Sequence, residues 1–214
     1  MKIVAIMPIK LNNERLPGKN TMRLGEKPLL MWALDAMKKA NVADEIYVYC
    51  SSEEIKAYLG EGIIYLKRPE HLVLPSSNFN QIFRSFKDQI PADIYIYTHA
   101  TAPFVSTDTI KECVSVVLND GYDSAFCAER IQDFLWKNGN PLNFDANNLP
   151  RSQDIEPIYR ETSGIYVFKR SVFEDHNRRI GVRPYIKEVG YKESVDINTL
   201  SDFKLAESLL EVDL

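Results

Sequence analysis

The chain lacks a basic surplus, a cysteine framework, a long apolar run and the common nucleotide-loop signatures. Each absence removes a class of protein. Its 30 Asp and Glu outnumber 26 Lys and Arg, for a net charge of -4. A protein that grips nucleic acid by neutralising phosphates is usually basic, so no nucleic-acid partner is expected. Cys50, Cys113 and Cys127 are odd in number, show no CxxC spacing and lie in apolar surroundings. They read as buried free thiols, with no disulfide framework or zinc site. There is no stretch of about 18 apolar residues, so no membrane partner is expected. Met1-Lys2 leads straight into a strand-like run without a leader of the secretory kind. The expectation is a cytoplasmic protein. No GxxxxGK[ST] occurs, which removes the Walker-type NTPases. No GxGxxG follows the first strand and no GxSxG occurs, which removes dinucleotide folds and nucleophile-elbow hydrolases.

What is present is an ordinary globular composition, 45% hydrophobic and 26% charged over 214 residues. That length predicts a single domain, 1–214, with a full core. Apolar runs at 2–9, 45–50, 62–66 and 93–97, with a further one at 122–128, predict strands. Between them, Leu30, Ala33, Leu34 and Met37 fall at helical spacing, as do Phe79, Ile82, Phe83 and Phe86. Ile110, Cys113, Val114 and Val117 make a third helical face, capped by Ser106 or Thr107. Ser51 to Glu54 has the form of a capping box. The alternation predicts an α/β fold, an open and mostly parallel sheet with helices on both faces and right-handed crossovers. The rhythm breaks over 130–160, rich in Asn, Pro, Asp and Gln, with a turn signal at Asn138 to Pro141. A loop-rich excursion is expected there. Strands resume at 164–168 and 185–189, with a short helix from Ser171 and a last helix from Thr199.

In open α/β sheets, ligands bind beyond the carboxyl ends of the strands. The residues gathered there are distinctive. Lys10, Arg15 and Lys19 follow the first strand, with a turn at Leu16-Pro17-Gly18. Lys67 and Arg68 follow the third strand, and Thr98 to Pro103 the fourth. Cations on one rim of an acidic protein favour an anionic small molecule, and the first loop suits a polyphosphate. A solvated basic loop is the other reading of that stretch. His99 is open between a satisfied structural group and a catalyst, and Thr98 and Thr101 beside it offer hydroxyls for a polar ligand. His71 and His176 read as surface residues. Thr199-x-x-Asp202 forms a capping box, which accounts for Asp202. Asp196 has no such local explanation. A carboxylate placed at a strand end opposite a cationic rim suits Mg²⁺ carried in by a phosphate chain.

Taken in order, these stretches resemble the sugar-acid cytidylyltransferases, in particular the CMP-sialic acid synthetase (acylneuraminate cytidylyltransferase) group, with the CMP-Kdo synthetases as cousins. Pro8 to Asn20 is similar to their opening signature, which ends in Leu-Pro-Gly-Lys-Asn. Arg68-Pro69-Glu70-His71-Leu72 resembles Arg-Pro-x-x-Leu, and Ala100-Thr101-Ala102-Pro103-Phe104 resembles Pro-Thr-Ser-Pro-Leu. Arg151-Ser152-Gln153-Asp154 resembles Arg-x-Gln-Asp, and Arg160 to Tyr166 the Gly-and-Tyr strand that follows it. Val195 to Thr199, with Asp202-Phe203 and Leu205-Ala206-Glu207, resembles the closing Asp-Ile-Asp segment and its helix. The likeness covers nearly the whole chain.

The resemblance implies a Rossmann-like fold of the nucleotide-diphospho-sugar transferase type, with a small dimerisation excursion and a homodimer. It implies transfer of CMP from CTP to a sialic-acid-like sugar acid, with release of pyrophosphate and with Mg²⁺ as cofactor. It casts Lys10, Arg15, Lys19 and Asp196 as catalytic. Asn20 and Arg68 would join the three cations in holding the nucleotide. His99, Thr101, Arg151, Gln153 and Arg160 would hold the sugar acid, and Asp196 and Asn198 the metal. The chain departs from the pattern at four places. Lys10 stands where Arg is usual, Asn12-Asn13-Glu14 replaces small residues, His99 replaces Gln, and Asn198 replaces the second Asp of the closing motif. These departures keep two alternatives open: a catalytically impaired nucleotide- or sugar-binding homologue, and a nucleotidyltransferase using another NTP or acceptor.

Overall fold

In the computed structural model, which describes residues 1–211, strand β1 (Ile3–Ile9) lies near the middle of a seven-stranded sheet. The others are β2 (Glu45–Cys50), β3 (Ile63–Lys67), β4 (Ile94–Thr98), β5 (Ser124–Ile131), β6 (Ile158–Lys169) and β7 (Pro184–Val189). They lie in the order β7-β5-β6-β4-β1-β2-β3. All neighbouring pairs are parallel except the two made by β6, which runs against β4 and β5. The mostly parallel sheet is as expected.

The helices are α1 (Leu29–Ala40), α2 (Phe79–Gln89), α3 (Thr107–Asn119), α4 (Arg170–His176) and α5 (Leu200–Leu210). Alternation along β1 sends Ala5, Met7 and Ile9 to one face and Val4 and Ile6 to the other. The first set packs with Leu30, Leu34 and Met37 of α1 and Ile110, Val114 and Val117 of α3. The second packs in an aromatic layer that includes Phe83 and Phe86 of α2 and Phe173 of α4. Within it, Phe83 meets Tyr95 edge to face at 4.9 Å, an arrangement favoured by the ring quadrupoles. All three cysteines are buried and free, as expected. Among the described residues no helix is long and apolar enough to cross a membrane.

Helix starts follow their caps. Ser106 Oγ accepts the Thr109 N–H at 3.1 Å, and Thr199 and Asp202 close the expected box at the start of α5. Asn78 and Gln81 form a second box, opening α2. At Ser51 to Glu54 the box does not form. Ser52 caps instead, accepting from the Glu54 N–H at 3.3 Å, and the turn that follows is a 3-10 helix over Glu53–Tyr58.

The largest departure is β6. The expected strand at 164–168 runs 12 residues, with an irregularity in register between Glu161 and Tyr166. Its first half carries exposed Tyr159, Arg160 and Glu161, which hide the strand from an apolar pattern. It pairs there with the end of β5, through Glu129 to Ile131, so the irregular excursion narrows to residues 132–157. At its tip Asn138 and Gly139 take φ of 52° and 79°. Those angles suit a tight hairpin turn, and a two-residue ribbon on each side, Trp136–Lys137 with Asn140–Pro141, is joined through it.

Candidate active site

The strand order reverses between β1 and β4, the point where open α/β sheets part their loops and leave a crevice. Beyond the carboxyl ends of these strands lies a cavity of about 430 Å³. The loop after β1 lines it with Lys10, Asn13, Glu14, Arg15, Lys19 and Asn20, and the turn after β4 with His99, Ala100 and Thr101. The loop is shaped locally. Gly18 takes φ of 66°, a left-handed conformation, where the Lys19 N–H returns to the Leu16 carbonyl at 3.2 Å. Asn20 Nδ2 donates to the Lys10 carbonyl at 2.9 Å, tying the two ends of the loop. The three cations expected to converge therefore share one cavity.

Asp196 reaches this site from a loop. Strand β7 stops at Val189, and residues 190–199 run as turn and coil, so the expected strand-end carboxylate is instead carried on an irregular segment. Packing still fixes it. Val195 and Ile197 are buried in a third cluster with Leu24, Leu29, Phe203 and Ala206. The Ile197 N–H donates to the Thr101 carbonyl at 2.8 Å, and Lys19 Nζ donates to the Ile197 carbonyl at 2.7 Å. One buried residue thus joins the β1 loop to the β4 turn. Its neighbours Asp196 and Asn198 are only partly buried. Arg15 Nη2 donates to Asn198 Oδ1 at 2.6 Å, and Asn198 Nδ2 donates to Asp196 Oδ2 at 2.8 Å. Asp196 and Asn198 line a second cavity, of about 320 Å³, together with Arg160, Tyr191 and Asp202, and do not line the first.

The electrostatics favour an anion. Lys19 is 7% exposed, and burial holds its pKa below the usual lysine range. Asp196 and Asp202 oppose that shift, while Arg15 and Lys10 reinforce it. A bound anion would relieve the crowding of positive charge.

Arg68 departs from the expected rim. It is 3% exposed, and its Nε and Nη2 have no hydrogen-bond partner among the described residues. Burial lowers its pKa, and two idle donors in the interior are costly unless an acceptor meets them. His99 is half-buried and tethered. Its Nδ1 lies 3.0 Å from the Ser163 carbonyl, and its ring meets those of Tyr97 and Tyr166 edge-on. A carbonyl can only accept, so Nδ1 carries the proton. Burial, above all, lowers its pKa and favours the neutral ring.

The remaining expected residues are spread out. Arg160 lines the second cavity, where it pairs with Glu129. Arg151 forms a two-point ion pair with Asp154 at 2.7 and 3.1 Å on the excursion. Gln153 is exposed nearby, its carbonyl accepting from Gln132 Nε2 at 2.9 Å. Neither Arg151 nor Gln153 lines either cavity. His71 and His176 are exposed. Against the Tyr166 ring, which meets His99, lies Arg179, a residue that no motif marks. The Arg179 guanidinium sits 3.6 Å over the Tyr166 ring, and both Arg179 Nη2 and the Tyr166 hydroxyl donate to Glu161 Oε1 at 2.6 Å. The one signal for it in the sequence is the charged pair Arg178-Arg179 in the short connection between α4 and β7.

Among the described residues no three His, Cys, Asp or Glu side chains converge as a metal cage. Among the described residues Asp196 Oδ1 is buried without a hydrogen-bond partner, and the charge of Asp196 acts on Lys19. That single orphaned acceptor fits a divalent ion that takes most of its ligands from an anionic partner and water.

Comparison with known proteins agrees with this architecture. The family model described as cytidylyltransferase matches residues 4–213. The chain is 28% identical to N-acylneuraminate cytidylyltransferase A of Danio rerio over 96% of its length, and spans 50% of that relative. It thus spans about half the length of the animal relatives it matches. It is 25% identical to CMP-N,N'-diacetyllegionaminic acid synthase of Legionella pneumophila, covering 100% of this chain and 98% of that one. Among solved structures, a CMP:2-keto-3-deoxy-manno-octonic acid synthetase complexed with CTP superposes with a TM-score of 0.72 at 15% identity, over 99% of both chains. A 4-diphosphocytidyl-2C-methyl-D-erythritol synthase from Anaerococcus prevotii superposes with a TM-score of 0.67 at 15% identity, over 99% of this chain and 96% of that one. These two likenesses show the fold. The chain belongs to the cytidylyltransferase family.

Proposed function

We propose that the protein transfers CMP from CTP to a sialic-acid-like sugar acid. A hydroxyl of the acid attacks the α-phosphorus, a new P–O bond forms, the bond to the β-phosphate bridge breaks, and pyrophosphate leaves. The observation that carries this reading is that Lys10, Arg15 and Lys19 share the switch-point cavity of a chain of this family, with Asp196 tied to Arg15 through Asn198.

Lys10, Arg15 and Lys19 would hold the triphosphate and stabilise the charge that builds on it as pyrophosphate departs. Asn20 would keep the loop closed through Lys10. Arg68 lines neither cavity and its two idle donors are buried, so it takes no part in this scheme. Asp196 Oδ1 would hold Mg²⁺, whose charge when bound would offset the charge that builds on the leaving pyrophosphate. His99 and Thr101, on the opposite wall, would orient the sugar acid, and Arg160 would draw its carboxylate through the second cavity. Arg151 and Gln153 line neither cavity and take no part in this scheme.

The test is pyrophosphate release with CTP, Mg²⁺ and a panel of sugar acids. Release that requires a nine-carbon keto sugar acid supports the proposal. A second reading, a homologue that binds nucleotide without turnover, is favoured by Asn198 standing where the family motif has an acid. Tight CTP binding with no release on any acid would establish that reading and refute the first.

A homodimer belongs to the same proposal. Phe134, Trp136, Leu142 and Leu149 are exposed on the excursion, where Phe134 and Trp136 both pack on Phe144. An apolar cluster held out on an arm fits a contact between two copies. Sedimentation at micromolar concentration should give twice the chain mass of 24.6 kDa, and a monomer would refute the dimer.

A further inference from the structure

We propose that Asn198 is a positioning residue whose side-chain amide joins Arg15 to Asp196, and that it is not a metal ligand. The inference rests on the functional reading above. It replaces the metal-binding role that the family resemblance implies for this position.

The amide is used at both ends. Its oxygen accepts from Arg15 Nη2 at 2.6 Å and its nitrogen donates to Asp196 Oδ2 at 2.8 Å. The direction is chemically fixed, because a guanidinium only donates and a carboxylate only accepts. The main chain beneath it is fixed as well. The Asn198 N–H donates to Asp202 Oδ2 at 2.9 Å, and Asp202 is locked in the capping box of α5. The amide is therefore set between two functional groups by the start of a helix.

An acid at this position would behave differently. It would place a second carboxylate 2.8 Å from Asp196 Oδ2, a repulsion that needs a cation to offset it. It would also form an ion pair with Arg15 and compensate the charge meant for a phosphate. The neutral amide avoids both. Asp196 keeps one satisfied oxygen, and its other oxygen, Oδ1, has no hydrogen-bond partner among the described residues. Arg15 is held in place by a neutral acceptor and keeps its charge for the triphosphate. On this arrangement, Asn198 should matter to CTP binding before any metal is present, and it should act through Arg15.

A double-mutant cycle read by calorimetric CTP affinity in EDTA tests this, with thermal unfolding as the control for folding. Asn198→Ala and Arg15→Ala should each weaken metal-free CTP binding about fivefold, and the double variant should be no weaker than Arg15→Ala alone, because residues acting as one unit are not additive. Asn198→Asp should also weaken metal-free binding, since the new charge compensates Arg15. Losses that multiply in the double variant would overturn the relay. So would metal-free affinity unchanged in Asn198→Ala and Asn198→Asp with a shift only in Mg²⁺ half-saturation, the signature of a ligand. If the unaltered protein binds no CTP, the functional reading fails and the relay fails with it.

Discussion

Asp196→Ala is expected to lower turnover about a thousandfold and leave the unfolding temperature unchanged. The first half follows from charge. Asp196 brings a carboxylate beside the cavity lined by Lys10, Arg15 and Lys19, linked to Arg15 through Asn198, and its Oδ1 has no hydrogen-bond partner among the described residues. A group that is idle in the free protein and engaged when charge develops contributes to the reaction, with losses on the order of 10²–10³ when one such contact is removed. The second half follows from packing. Val195 and Ile197 carry the apolar contacts of this segment, and Ile197 carries its links to Thr101 and Lys19. The Asp196 side chain is partly exposed between them, and its loss frees one amide hydrogen of Asn198. Turnover measured beside a melting curve checks both halves. Unchanged turnover would refute the metal assignment, and a collapsed melting temperature would make Asp196 a structural residue.

Lys19→Ala is expected to raise the CTP dissociation constant about thirtyfold and to cost stability as well. The ammonium has three hydrogens, and one is committed to the Ile197 carbonyl. Two remain for phosphate oxygens, and a charge-assisted contact of this kind is worth roughly 2 kcal/mol. Removing the side chain also leaves the Ile197 carbonyl, on a fully buried residue, without its partner. That penalty is about 1–3 kcal/mol, so this variant should melt earlier, unlike Asp196→Ala. Lys19→Arg restores charge but not shape, since a planar fork replaces a point donor in a buried slot. It should recover part of the binding. A CTP affinity unaltered in Lys19→Ala would remove the loop from the triphosphate site.

Much of this is legible from the chain because the signals are local. The apolar run of β1 and the helical stripes of α1, α2 and α3 give the sheet and its two covers, and the parallel topology then places Lys10, Arg15, Lys19, His99 and Thr101 on one edge. The capping box at Thr199 is likewise contained in four residues. What stays hidden depends on contacts across the fold. The first half of β6 carries exposed polar side chains and is a strand because β5 pairs with it, a fact no window around residue 160 contains. Asp196 is placed by the burial of Val195 and Ile197 against Leu24 and Leu29, far off in the chain, and not by any strand of its own. Arg68 follows a strand like the other cations, yet it is almost fully buried, which nothing in its neighbouring residues signals. Glu161 and Tyr166 lie in a recognised stretch, but their meeting with Arg179 is hidden for the same reason, since it happens only in space.

The central claim is that this crevice activates CTP, and steady-state pyrophosphate release with CTP, ATP, GTP and UTP tested separately, at one fixed sugar acid and excess Mg²⁺, examines it most directly. The expected result is release with CTP alone, abolished when the acid is left out. Equal release from another nucleotide, or release that does not need the acid, would contradict it.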